Sequence, residues 1–231
     1  MPTVGIARES LTLSRRNLGL ADPEGLWRLS PRPVNCMRDI PGFIAAWDTG
    51  IGDPSLARRR YKLRRSRSGN VNRSGREGDL AAPSVAHWHP QFAAAVEPGV
   101  WPLVLSLIQD GRWISYTSCA GHFYMDGPHQ PCQRHVGLLP RDEKEHREIV
   151  VRLVDIVCQS RHNKSFSHAE AALVSDELHD RDRSYPVVDI YLMRRHNSGW
   201  EFYFREIDSA TASLVDVIKR SLGHARDLYH D

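Results

Sequence analysis

Apolar residues fall into regular periods only from about Val85 onward, and the order of those periods limits the fold more than any other feature of the chain. Gln91 to Gln109 carries helical spacing that breaks at Glu97-Pro98-Gly99, since proline and glycine interrupt the pattern. Asp110-Gly111 then turns the chain into WISYTS, which reads as a strand, and HVGLL (His135 to Leu139) reads as a second strand ended by Pro140. Asp142, with Glu145 three residues later, forms a capping-box pattern before a helix reaching about Ser160. Its apolar positions Ile149, Val150, Leu153, Val154, Ile156 and Val157 recur at helical spacing. AEAALVSDE, VVDIYLMRR and WEFYFREI read as three further strands, the last two joined by the turn His196 to Gly199. A closing helix is expected from about Ser209 to Leu228, with Leu214, Val217, Ile218 and Leu222 on one face.

This order predicts an α+β fold. The natural solution is a two-layer sandwich, with an antiparallel or mixed sheet of about five strands and helices on one face. Alternation along the strands would then point Val188, Ile190, Leu192, Phe202 and Phe204 at the helices. Asp189, Tyr191, Glu201, Tyr203 and Arg205 would lie on the opposite face, joined by Ser115, Thr117 and His135. That face is either a polar pocket floor or an ordinary solvated sheet surface.

Residues 1–82 have no such periods and are expected to be a largely irregular, basic N-terminal region ahead of an α+β domain at 83–231. A short helix is expected within PGFIAAW, Pro41 to Trp47. Nine Lys or Arg and no acid lie between Arg58 and Arg76; without them the chain has 22 basic against 28 acidic residues, a formal charge of about −6. The positive net charge therefore belongs to one segment. Arg58, Arg59, Arg60, Lys62, Arg64, Arg65 and Arg67 suit phosphate backbones of RNA or DNA, because each neutralised phosphate releases counterions. The other readings of the segment at about 52–82 are a solubilising flexible linker or a patch contacting the acidic body of the same chain, and in a protein assembly the N-terminal 80 residues would order on a partner.

Chemistry concentrates in YTSCAGHFYMDGPHQPCQRH. Cys119 and His122 form C-x-x-H, and Cys132 and His135 form a second one. Paired short spacings let two donors from one turn reach one ion, and Cys119, His122, Cys132 and His135 together make a tetrahedral zinc set. His129 in the intervening loop and the His87/His89 pair upstream are additional donors, so either some of the seven are bystanders or the ion is open and catalytic. As an enzyme the chain would use Cys119 and His122, with Asp189, Tyr203 and Arg205 shaping the pocket. Two other readings stay open: a metal-free thiol with Cys119 as nucleophile and His122 or His135 as its base, or a tight turn of small residues. Cys158 falls on the apolar face of its helix and reads as core.

Four cysteines in 231 residues are too sparse for a disulfide framework, no apolar run approaches the roughly 20 residues of a membrane span, and the N-terminus carries no apolar leader. These features predict a cytoplasmic chain with no membrane partner. Dinucleotide, P-loop and zincin motifs are absent. The run GRWISYTSCAGH, following His89-Pro90, resembles the S-C-x-G-H segment of small uncharacterised bacterial and phage proteins over about 40 residues, His89 to His135, a likeness that implies no particular activity. A looser likeness is to the wybutosine-synthesising tRNA methyltransferase family, whose S-C-x-G element is followed by Arg where this chain has His122. The combined expectation is a zinc-binding protein acting on or binding a nucleic acid or nucleotide. The competing one is an interaction component whose Cys/His stretch is purely structural.

Overall fold

In a computed structural model, the described residues are 25–28, 35–77, 79, 82–124, 131–162, 166–181 and 183–227. In chain order they form β1 (Trp27–Arg28), β2 (Asn35–Cys36), α1 (Ile40–Thr49), α2 (Pro54–Arg58), β3 (Arg64–Arg65), β4 (Val71–Asn72), α3 (Phe92–Ala95) and α4 (Trp101–Ile108). A 3-10 turn at Gln109–Gly111 leads into β5 (Ile114–Cys119), β6 (Arg134–Leu139), α5 (Glu143–His162), β7 (Ala169–Asp180), β8 (Arg183–Arg194) and α6 (Trp200–Asp227). The main sheet has the order β1-β7-β8-β6-β5, with β2 also paired to β7. β7, β8, β6 and β5 are antiparallel neighbours, whereas β1 and β2 run parallel to β7. The sheet is mixed and the class is α+β, as the apolar periods predict. Among the described residues no helix is long and apolar enough to cross a membrane.

Alternation decides what each face of the sheet carries. Leu173, Val188, Ile190 and Leu192 join Val104, Leu107, Leu153, Val157, Tyr203 and Leu214 from the helices in one core. Full burial of each such aliphatic side chain contributes about 1.5–3 kcal/mol. Ala172, Val174, Tyr191 and Met193 form a smaller cluster of their own. Asp189 belongs to the sequence between these residues and is 0% exposed, so the face expected to be an open polar surface is buried here. Its carboxylate accepts the Tyr116 hydroxyl at 2.8 Å. Gly137 makes that reach possible: a Cβ there would meet Asp189 Oδ1 at 2.4 Å, Tyr116 Cε1 at 2.5 Å and Thr117 Cγ2 at 2.6 Å.

The α5 start is as expected, with Asp142 Oδ1 accepting Glu145 N at 2.8 Å, but Glu145 reaches back to Arg141 N at 2.6 Å and not to the cap's own N–H. WEFYFREI is the beginning of α6 and not a strand. Over eight residues its aromatic pattern fits both periods, yet Trp200, Tyr203, Phe204 and Ile207 continue at helical spacing into Ala210, Leu214 and Ile218. The long helical stripe wins over the short alternation. Phe202, expected inward, is 48% exposed, and Arg205 is exposed with its guanidinium over the Phe202 ring.

The N-terminal elements pack on this frame. Trp27, Ile40, Phe43 and Trp47 belong to the same core as the sheet. Trp47 Nε1 donates to the Gly111 carbonyl at 2.8 Å and Trp88 Nε1 to the Ala46 carbonyl at 2.8 Å, fixing α1 against the turn that launches β5.

Candidate metal centre

β5 ends at Cys119, and Ala120-Gly121 turn the chain back. Gly121 has φ +82°, and a Cβ on it would crowd Arg134 N at 3.2 Å and the Cys132 carbonyl at 3.3 Å, so glycine suits both the conformation and the space. The return places His122 opposite Cys132 in a two-residue bridge, with N–H to carbonyl bonds of 3.0 Å in both directions. Arg134, buried at the start of β6, locks the turn from behind: its Nε donates to the Ala120 carbonyl at 2.7 Å, and its other nitrogens reach Thr211 Oγ1 at 2.6 Å and Asp208 at 2.9 Å on α6.

The consequence is one compact donor group. Sulfur or nitrogen atoms of Cys119, His122 and Cys132 all lie within 4.8 Å of one another, and this group could hold a metal ion. The two Sγ atoms are 3.5 Å apart. That is far beyond the roughly 2.05 Å of a disulfide. It is close to the roughly 3.8 Å that separates two sulfurs bound tetrahedrally at about 2.3 Å from one ion.

Glu97 completes the surroundings. It is 7% exposed, at the turn between α3 and α4, and its carboxylate accepts Val71 N at 3.1 Å, Ala120 N at 2.7 Å and His122 Nε2 at 3.0 Å. His122 Nδ1 faces the Ser68 carbonyl at 3.0 Å. With an oxygen acceptor at each nitrogen, both ring nitrogens are placed to donate when the imidazole is protonated. Burial works against that charge, but the hydrogen bond and charge of Glu97 outweigh it and raise the His122 pKa. The cysteines are pushed apart. Cys132 is lowered to about 7, chiefly by the Cys119 thiol donating to it and then, against burial, by the His122 charge. Cys119 is raised, first by that same bond, which favours its protonated form, and next by burial. The pair thus favours its proton on Cys119, and Cys132 is the thiol that ionises first.

The basic segment reaches this group. β3 and β4 form a hairpin around Ser66 to Asn70, in which Glu77 accepts Ser68 N at 2.7 Å and Ser66 Oγ at 2.9 Å. The Ser68 and Glu77 side chains are also bonded, and that contact, ahead of the others, lowers the Glu77 pKa. The hairpin tip meets the centre through the Ser68 carbonyl on His122 and through Asn70 Oδ1, which accepts the Tyr124 hydroxyl at 3.1 Å. All nine cations from Arg58 to Arg76 are exposed, and none forms an ion pair with a described residue.

Other expected site residues fall elsewhere. His135 is outside the donor group; its ring stacks on Tyr191 at 4.6 Å and its Nδ1 faces the Gln133 carbonyl. Tyr203 is buried, donating to the Leu192 carbonyl at 2.7 Å and accepting Arg134 N at 2.9 Å, so it supports the start of β6 from the core. Arg205 lies on the exposed side of α6, and Asp189 sits under Tyr116. His89 is held by Gln91 N and the Arg59 carbonyl, and His87 packs on Trp47 with ring centres 4.9 Å apart. His129 lies outside the described residues. Glu97 was missed by spacing arguments, yet it is the sole charged residue between Phe92 and Ile108, a signal that it is buried with partners.

No family model, no curated protein and no solved structure matches the chain.

Proposed function

We propose that this protein binds one zinc ion through Cys119, Cys132 and His122 and engages the phosphates of a nucleic acid with the adjoining basic hairpin. The observation that carries the reading is the convergence of two sulfurs and an imidazole within 4.8 Å on a turn and bridge braced by Arg134. A Cys₂His donor set is soft enough to favour zinc over magnesium or calcium. His122 would give up one proton and exchange one of its two oxygen contacts for the ion. Keeping Glu97 on the other nitrogen gives the carboxylate–histidine–metal arrangement that orients such ligands. Three protein donors leave the fourth place to water, as in catalytic zinc sites. The hairpin supports the second half of the reading, because its cations are exposed and its tip rests on His122.

The test is elemental analysis of the purified full-length protein beside Cys119→Ser and Cys132→Ser, with RNA and DNA binding measured at two salt concentrations. One equivalent of zinc in the wild type, lost in both variants, is expected, with affinity falling steeply as salt rises. A folded wild type that takes up no zinc on reconstitution would overturn the metal assignment. Salt-independent binding, or none, would overturn the role of the hairpin.

A further inference from the structure

We propose that Cys119 and Cys132 are a dithiol that hydroperoxides oxidise to a disulfide, and that the disulfide excludes the metal. The geometry favours the bond. The sulfurs need to close from 3.5 Å to about 2.05 Å, a change within the range of side-chain torsions. Cys132 is tied to His122 by paired backbone hydrogen bonds and Cys119 stands in register with His135 on β6, so the same strand pair fixes both backbones and no strand has to move far. Both residues are partly exposed, which admits a small peroxide. Cys158 packs against the core on α5.

The chemistry balances in two steps. A thiolate of the pair attacks the terminal oxygen of R–O–O–H; an S–O bond forms, the O–O bond breaks, and the alkoxide leaves as the alcohol after taking a proton. That sulfur is oxidised by two electrons to the sulfenic acid, and the peroxide is reduced by two. The second thiol then attacks the sulfenic sulfur: the S–S bond forms, the S–O bond breaks, and hydroxide departs with the thiol proton as water. Two thiols and one hydroperoxide thus give one disulfide, one alcohol and one water. Hydrogen peroxide gives two waters. The disulfide uses both sulfurs that zinc would need, so ion and oxidant compete for one pair. Exclusion of the metal rests on the function proposed above, whereas disulfide formation does not.

The experiment treats the full-length, reduced, metal-free protein with one equivalent of hydrogen peroxide, followed by peptide mapping without reductant. The expected product is a linked Cys119–Cys132 peptide pair lighter by two hydrogens than the free peptides, reversed by dithiothreitol, with Cys158 still open to alkylation under denaturant. Products dominated by sulfinic acids, or by disulfides to Cys36 or Cys158, would overturn the proposal. Zinc-loaded protein is then titrated with peroxide in the presence of a zinc indicator. Release of one ion per disulfide is expected, and a disulfide formed with the ion retained would overturn the competition. If the disulfide forms in a protein that never takes up zinc, the metal reading fails and the dithiol stands.

Discussion

Val71 N, Ala120 N and His122 Nε2 all point at the Glu97 carboxylate, and the residue is buried. A carboxamide of the same shape turns one oxygen into a donor facing donors, so Glu97→Gln should cost about 1–3 kcal/mol in urea unfolding. Part of that cost depends on pH. The His122 pKa is raised in the fold, so the stability it shares with Glu97 is fully present below the unfolded value of about 6.5 and is lost as pH rises through the folded value. The gap between wild type and Glu97→Gln should therefore narrow on going from acid to alkaline solution, and a gap that widens would show that His122 is neutral. Cys132 supplies a second check. With its pKa lowered to about 7, its alkylation by iodoacetamide in metal-free protein should rise with a midpoint near that pH while Cys119 stays slow. Equal rates at both cysteines would contradict the shared proton.

The first two turns of α6 show where elements are legible from sequence and where they are not. As a strand, WEFYFREI would bury Phe202 and expose Tyr203; as the start of a helix it does the reverse. Phe202→Ala should then change stability by less than about 1 kcal/mol, the range for a half-exposed side chain losing ring contacts. Tyr203→Phe should cost about 1–3 kcal/mol, because it strips a partner from the buried Leu192 carbonyl and from Arg134 N. The opposite ranking would restore the strand. The strands WISYTS, HVGLL, AEAALVSDE and VVDIYLMRR could be read as short apolar runs, two of them bounded by Asp110-Gly111 and Pro140, and α5 could be read because its apolar positions from Ile149 to Val157 keep helical spacing behind a capping pattern at Asp142. Eight aromatic-rich residues do not separate the periods by themselves. The same limit applies to the site. Cys119, His122 and Cys132 were legible as short-range spacings. Glu97 approaches His122 from 25 positions away, and C-x-x-H says nothing about which neighbour His135 will stack against.

At the scale of the molecule, charge and site share one location. The body carries about −6 by formal count, and the nine cations that reverse the sign occur in the segment that includes the β3–β4 hairpin. Had that hairpin folded back onto acidic patches of the body, its arginines would be paired. Among the described residues they are not, while Glu77 and Asn70 are used to hold the hairpin's own backbone and its Tyr124 contact. The arrangement predicts an electrostatic interface beside the donor group. Replacing Arg64, Arg65 and Arg67 with alanine should leave the thermal midpoint and zinc content unchanged, since these side chains are exposed and outside the donor set. The slope of log affinity against log salt should flatten by roughly 2–3 if all three contact phosphates, at about 0.7–0.9 per contact. Fluorescence anisotropy with a labelled single-stranded RNA and a DNA duplex, across a salt series, reads both quantities. A slope unchanged by the triple substitution would move the contact surface away from the hairpin. A slope lost together with zinc would instead mean that hairpin and metal centre fold as one unit, joined through Ser68 and His122.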